Sequence, residues 1–379
     1  MTPGADALVV GGGVIGAAVA LALAERGAAV ELVDGSSPAL GPAARAPATL
    51  AAAGILGAQM EAHGDGPLER LCLASRARFE AFARHVEELA GANVEYRPCG
   101  VSIAAFGDEE LARLDAATAW QRSAGLRVER LDARRAREAE PGLNEAVAGA
   151  MHFPDDARVD PPSLFAAVRA AAVKRGAKLR FGRVERVTRD GARVTGAIVD
   201  GEAVPARRVI VCAGAWSGLV GGAGLGEGDV QPARGQMLEL VVDPGTVRAV
   251  VLGPDAYLSP RDDGRVLVGS TVELAGFHAD VTAAAARDLL AGATRLVPAL
   301  ERAKLSRFWA GLRPYTPDEL PLIGPAVYDG LLLATGHFRN GVLLAPITAE
   351  IVAALVAGAP PPVDVAPFAP SRLARLAAS

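Results

Sequence analysis

The chain has 379 residues, enough for about two average domains, and 51% hydrophobic against 22% charged residues excludes global disorder. Lys plus Arg number 39 and Asp plus Glu 43, a formal net charge of -4; of the Lys and Arg residues only Lys174, Lys178 and Lys304 are Lys, and no basic block argues for a nucleic-acid partner. Cys72, Cys99 and Cys212 are too few and too scattered for a disulfide framework. No Cys-x-x-Cys or paired-His spacing offers a metal site, so the reading is a protein of a reducing, cytoplasmic compartment with no metal.

Residues 7–10 form a short continuous apolar run, 14–25 an Ala/Leu-rich stretch with no breaker before Gly27, and 29–33 a second β-rich run ending at Asp34. That order predicts strand, turn, helix and parallel strand. The uncharged run 7–24 is long enough to raise the question of a membrane span, but it holds Gly11, Gly12, Gly13 and Gly16 at its centre and has no Lys or Arg before it, so a buried fold element is expected. Residues 67–89 follow as an amphipathic helix with Leu68, Leu71, Phe79, Phe82, Val86 and Leu89 on one face. A strand at 101–105 and a helix from Asp108, with Leu111, Leu114 and Trp120 inward, make an excursion from the first unit. Residues 161–175 are helical, and 178–181, 184–189, 194–199 and 208–212 are predicted strands with Asp-Gly turns at 190–191 and 200–201. The stretch 230–271 is β-rich, 283–296 helical, 331–334 a strand and 345–357 a helix. Proline keeps 359–370 from continuing that helix and predicts a surface wrap.

The first turn carries Gly-x-Gly-x-x-Gly at Gly11, Gly13 and Gly16, between a strand and a helix. Gly11 permits the tight turn, Gly13 lets backbone approach a pyrophosphate, and Gly16 lets helix and strand pack closely, while the helix N-terminus, with Val14 and Ile15 in its first turn, favours the anion. Asp34, 18 residues beyond Gly16 at the end of the second strand, is placed to accept the ribose hydroxyls of an adenosine. The bland alternative is a flexible turn in a Gly-rich chain. Strand, helix and terminal acid together favour a dinucleotide, and the motif leaves NAD and FAD open.

Five segments in order carry a more specific signal: the glycine turn, 51–58 (AAAGILGA), 209–217 (VIVCAGAWS), 308–314 (FWAGLRP) and 336–341 (GHFRNG). With these the chain resembles the D-amino acid oxidase family of flavoproteins over nearly its whole length, and within it the glycine oxidases associated with thiamine biosynthesis. The resemblance implies an α/β fold: a discontinuous Rossmann-like FAD-binding domain (1–87, 150–220 and 316–379) and an α+β substrate domain on an antiparallel-rich sheet (88–149 and 221–315). It implies FAD, held non-covalently, at Gly11, Gly13, Val14, Ile15, Gly16, Asp34, Thr49, Ala53, Gly54, Val184, Ala213, Gly214, Arg313, Arg339, Asn340, Gly341 and Val342. Val184 would lie against the adenine, and the segment at Asn340, Gly341 and Val342 would offer amides and a helix N-terminus to the flavin pyrimidine. Two positions depart from the family: Ile55 stands where a well-known member has Met, and Leu50 where a small hydroxyl residue is usual.

On the substrate side, Arg313 lies in an apolar stretch where a guanidinium needs an anionic partner. The resemblance makes that partner the substrate carboxylate, the alternative being a core ion pair. Tyr257, in a predicted strand, would add a hydrogen bond, its alternative being a half-buried sheet aromatic. Arg339 would offer its backbone carbonyl to the substrate amine, and Ile55 would shape the pocket. His337 and Trp216 are expected to be scaffold, and residues 59–61 either a lid or a solvated loop. The implied activity is oxidation of glycine or another small amino acid to its imine, then 2-oxo acid and ammonia, with O2 reduced to hydrogen peroxide. Sarcosine or a D-amino acid is the alternative substrate, and a non-catalytic flavin protein the remote one. A homo-oligomer is compatible with all of these; a membrane or nucleic-acid partner is not expected.

Overall fold

The computed structural model describes residues 4–36 and 46–373. A six-stranded sheet runs Leu322–Pro325, Leu331–Thr335, Val209–Val211, Ala7–Val10, Val30–Asp34, Lys178–Phe181, parallel throughout except for the antiparallel pair at the first edge. Its central strands are apolar at every position because both faces are covered. Ala7, Val9, Leu32, Ile210 and Leu332 enter one core with helices Val14–Ala24, Pro67–Ala90, Pro161–Lys174 and Ala345–Val356. Their neighbours Leu8, Val10, Val33, Val209, Val211 and Leu331 enter another, roofed by an antiparallel sheet of Val184–Asp190, Arg193–Val199 and Glu202–Pro205.

An eight-stranded sheet runs Lys304–Tyr315, Gln231–Val241, Arg265–Gly269, Tyr257–Pro260, Val250–Leu252, Val101–Ala105, Gly149–Phe153, Glu129–Asp132; only the Val250–Leu252 and Val101–Ala105 pair is parallel. Strand periodicity of two sorts its side chains. Leu238, Leu240, Leu258, Val266 and Val268 pack with Leu289, Ala293 and Leu296 of helix Ala283–Leu296, whereas Met237, Tyr257, Leu267 and Trp309 face the other way, toward Ala53. That second face is the one turned to the six-stranded unit.

Most predicted elements recur within a residue or two. Helix Pro161–Lys174 starts where Asp160 accepts the Ser163 N–H at 3.1 Å, with Pro161 at its first position. Three readings need correction. Glu202–Pro205 and Lys304–Tyr315 are strands that the sequence did not single out: the first is short and alternates weakly, and the second carries charge at its outer end. Gly149–Phe153 crosses the expected boundary at 150 and lies wholly in the eight-stranded sheet, paired with Val101–Ala105. The 359–370 stretch leaves the helix and runs mostly exposed or half-buried over the surface, as expected, with Phe368, 1% exposed, inserted into the core.

Candidate active site

One cavity of about 970 Å3 runs from the glycine turn to the inner face of the eight-stranded sheet. At its first end lie Gly11, Gly13, Val14, Ile15, Asp34 and Val184. Gly11 has φ +102, and a Cβ there would run into the backbone of Cys212 and Ala213. Gly16 is the one predicted fingerprint residue outside the cavity lining; it is needed because a Cβ would strike the Gly11 carbonyl, which holds helix Val14–Ala24 against the first strand. That helix begins at Gly13 with no side-chain cap of Gly13's own and no acidic residue in its first turn, and the nearest atoms to a Cβ on Gly13 would be 3.8 Å away. A glycine-opened helix N-terminus that faces a cavity suits an anion.

Asp34 is 5% exposed and more engaged than the sequence implied. It accepts Ser36 N–H at 3.1 Å and Ser36 Oγ–H at 2.6 Å, and its Oδ2 lies 3.0 Å from Arg169 Nη1. Arg169 is stacked 4.8 Å from the Phe165 ring centroid and 5.3 Å from that of Phe181. Gly12 does not stand out in the sequence as a site residue, yet a Cβ there would meet the Asp34 carboxyl group at 2.8 Å.

The middle of the cavity is lined by Thr49, Ala53, Gly54, Ile55, Ala213, Gly214, Asn340, Gly341 and Val342. Thr49 Oγ1 accepts the Val14 N–H at 3.3 Å, and Arg261 Nη2 donates to Ala53 O at 2.7 Å, tying this wall to both sheets. Thr335 Oγ1 donates to Gly214 O at 3.3 Å and Asn340 O accepts Leu344 N–H at 2.8 Å. Leu50 is 38% exposed and does not line the cavity.

At the far end Tyr257, Arg313 and Arg339 come together from three distant segments. Glycines in neighbouring strands make the space: a Cβ on Gly235 would collide with the Arg313 guanidinium, and one on Gly269 with the Tyr257 ring. Arg313 donates to Thr271 O at 3.1 Å and Ser270 Oγ at 2.8 Å. Among the described residues it has no carboxylate within 4.0 Å, so the core ion pair considered from sequence is not what holds it. Burial pulls its pKa down and pushes that of the Tyr257 phenol up; the phenol lies 3.6 Å from Met237 Sδ. Arg339 is an exposed residue at the cavity wall, its guanidinium 5.2 Å from the Phe338 ring centroid.

His337, 3% exposed, shares Nε2 with Thr348 Oγ1 at 3.1 Å, and burial lowers its pKa to about 3. It stays neutral as scaffold. Trp216 lines the cavity and packs on Phe277, centroids 6.1 Å apart. Residues 59–61 are neither a solvated loop nor a loose lid. Gln59 is 1% and Met60 8% exposed, and both backbone N–H groups are bound by Asp156 at 2.9 to 3.2 Å. Asp156 also pairs with Arg76 at 3.0 Å, and burial nevertheless lifts its pKa to about 6. The signal that sequence missed is this long-range acid, 97 residues from Gln59.

A family model described as FAD dependent oxidoreductase matches residues 6–355. The chain belongs to this family. It is 35% identical over 379 residues to a glycine oxidase of Geobacillus kaustophilus, covering 98% of each chain. It is also 35% identical over 365 residues to a bifunctional ThiO/ThiG protein of Nostoc sp., with 93% of this chain aligned to 52% of that one, so it spans about half the length of such relatives. The crystal structure of glycine oxidase from Geobacillus kaustophilus superposes with a TM-score of 0.90 at 35% identity, over 96% of this chain and 98% of that one. FAD is thus the cofactor of this oxidoreductase, and the residues present fit it: the glycine-opened helix start and buried acid stand at one end of a cavity long enough to continue to Arg313.

Proposed function

We propose that this FAD-dependent oxidoreductase oxidises glycine or a similarly small amino acid to its imine. The observation that carries the reading is Arg313, a half-buried cation at the end of the cavity that, among the described residues, bonds only the Ser270 hydroxyl and the Thr271 backbone carbonyl, both neutral. A guanidinium fork left without a counter-charge is completed by a carboxylate. Tyr257 adds its hydroxyl to that carboxylate, and the backbone carbonyl of Arg339 accepts from the amine. The helix start at Val14 and Ile15 holds the pyrophosphate, Asp34 the ribose, Val184 the adenine side, and Asn340, Gly341 and Val342 the pyrimidine edge. Bound non-covalently, FAD supplies the hydride acceptor and, with O2, the route to hydrogen peroxide. The protein's share is to clamp the carboxylate, present one face of Cα and exclude bulk water.

The imine hydrolyses to the 2-oxo acid and ammonia, or is passed on. The names of the glycine oxidase and ThiO/ThiG relatives support glycine as substrate and thiamine biosynthesis as setting. Scattered thiols, and no helix among the described residues long and apolar enough to cross a membrane, accord with a cytoplasmic enzyme. The same reading divides the chain into an FAD-binding unit around the six-stranded sheet and a substrate unit around the eight-stranded one, with Gly149–Phe153 in the latter. A peroxide assay over glycine, sarcosine and both alanine enantiomers tests the proposal. Peroxide from glycine supports it, and no peroxide from any of them with the flavin in place rejects it. Acid precipitation should leave the yellow colour in the supernatant; colour in the pellet would show a covalent flavin.

A further inference from the structure

The far end of the cavity holds one more charged group, which neither the carboxylate clamp nor the flavin site employs. Glu61 lines the cavity with Arg313, Arg339 and Tyr257. Its backbone is fixed: its own N–H reaches Gly57 O at 3.2 Å, and the two preceding N–H groups are bound by Asp156. Asp156 is locked in turn by Arg76, whose Nη1 also donates to Gln59 Oε1 at 2.5 Å, while Gln59 Nε2 and Gln121 Nε2 donate to Gln121 Oε1 and Gln59 O at 3.0 and 2.9 Å. A buried polar network of this kind is retained only where every member is satisfied, and here it delivers the next side chain to a defined place. Yet among the described residues the Glu61 carboxyl has no hydrogen bond and no cation within 4.0 Å. A rigidly mounted carboxylate without a partner, facing the same space as a guanidinium without a counter-ion, is the complement of a zwitterion.

We propose that Glu61 receives the ammonium group of the amino acid and takes one proton from it before the Cα–H bond breaks. This rests on the amino acid oxidase reading. One N–H bond breaks and one Oε–H bond forms, the N–H electron pair stays on nitrogen as its lone pair, and no electrons change hands. The lone pair is then available to form the imine. Glu61 returns its proton to water after product leaves. The groups facing it are Arg313 from Lys304–Tyr315, Arg339 from Phe338–Asn340, Tyr257 from Tyr257–Pro260, Asp156 from the turn after Gly149–Phe153, Cys72 from Pro67–Ala90, and His63 on its own segment. Burial raises its pKa and the two guanidiniums oppose the rise. Burial makes the acid a stronger base than an exposed Glu, which favours proton transfer, while the two guanidiniums oppose that rise and favour the ionised form that must accept the proton. Glu61 must be ionised to act, so kcat/KM for glycine falls as pH drops through its pKa.

The test compares wild type and Glu61→Gln holoenzymes for peroxide formation from glycine between about pH 6 and 10. Near neutrality, where glycine is a zwitterion, kcat/KM of the variant should be on the order of 100-fold lower, the usual share of one general base. The gap should close at high pH, where glycine brings its own lone pair, and the acidic limb of the wild-type profile should disappear. Glycolate, with the carboxylate but no amine, should perturb the flavin spectrum with the same Kd in both proteins. Glu61→Asp should keep an acidic limb, and it carries the test if the Gln variant fails to hold flavin. A gap that is absent, or constant across pH, overturns the assignment, as does glycolate affinity lost in step with turnover. Wild type making no peroxide from any small amino acid would sink the oxidase reading and this proposal with it; an active wild type with an unaltered Glu61→Gln profile sinks only the role of Glu61.

Discussion

The two ends of the cavity are built by different means. The nucleotide end comes from one β-α-β unit, in which Gly11, Gly13 and Gly16 and the acid at 34 are neighbours in sequence, and it is held by backbone packing: Gly11 on Cys212 and Gly16 on the Gly11 carbonyl. The substrate end draws residues 61, 257, 313 and 339 from four separate segments; Arg313 is held by the Ser270 hydroxyl and the Thr271 carbonyl, and the backbone leading to Glu61 by Asp156. A turn that only glycine can make is specified by a handful of adjacent residues. A charge placed by contacts across the fold has no such local rule. The first end should therefore fail through loss of flavin, and the second through loss of substrate with flavin retained.

The sharpest way to break this contrast is Arg313→Ala. Removing one partner of a buried charge pair costs about 2 to 5 kcal/mol, so kcat/KM for glycine should fall roughly 30-fold to several thousand-fold. The flavin spectrum and FAD affinity should hold. If the variant instead loses flavin and unfolds, Arg313 serves the core and the two ends are not separable.

Asp34→Ala probes the other end and should weaken FAD by about 1.5 to 3 kcal/mol, the usual value of one hydrogen bond to a charged acceptor. FAD titration followed by flavin fluorescence measures it. The change also strands Arg169, which then has no carboxylate beside its Nη1. Unchanged FAD affinity would mean that the adenosine lies elsewhere. Substrate KM in the flavin-loaded variant should stay close to wild type, which is the clean separation the comparison demands.

These contrasts also explain what could be read from sequence. The first strand, helix and strand, the glycine turn and Asp34 were legible because sterics and periodicity act over a few residues. Tyr257 was placed on a strand correctly, but its direction into the cavity depends on strand pairing with Arg265–Gly269 and on the space left by Gly269. Gly235 was invisible as a site residue, since its role is to admit a guanidinium from the neighbouring strand. The 59–61 segment read equally as lid or solvated loop because Asp156, Gln121 and Arg76, which fix it, are not its neighbours in the chain. Gly149–Phe153 was cut at a boundary because its partner strand, Val101–Ala105, is some 45 residues earlier.

Tyr257→Phe should act at the substrate end alone and less severely than Arg313→Ala. It deletes one hydrogen bond from a neutral hydroxyl to the substrate carboxylate and keeps the ring among Met237 and Leu267, so about 1.5 to 3 kcal/mol is at stake, roughly ten-fold to about 150-fold in kcat/KM. Because burial raises the phenol pKa, the hydroxyl remains a donor through neutral pH, and the variant's pH profile near neutrality should keep the shape of the wild type's. A loss as large as that of Arg313→Ala would make the phenol, and not the guanidinium, the principal anchor.

The smallest catalytic effect is expected at His337, which lines the cavity between the two ends. Its folded pKa of about 3 lies below the ordinary value of 6.5 because burial disfavours the imidazolium. Between these values the unfolded chain binds the proton and the native protein does not, so stability is fully present above pH 6.5 and is lost as pH falls toward 3. The slope approaches about 1.4 kcal/mol per pH unit below the unfolded pKa. His337→Asn should remove that part of the acid slope in urea unfolding curves collected from about pH 7 down to 5. It gives up the 3.1 Å bond to Thr348, so some stability is lost at every pH, yet the pH profile of kcat/KM should be unchanged. A kcat/KM profile that shifts in this variant would show that His337 titrates in the working enzyme and belongs with Glu61 among the groups that move the substrate's proton.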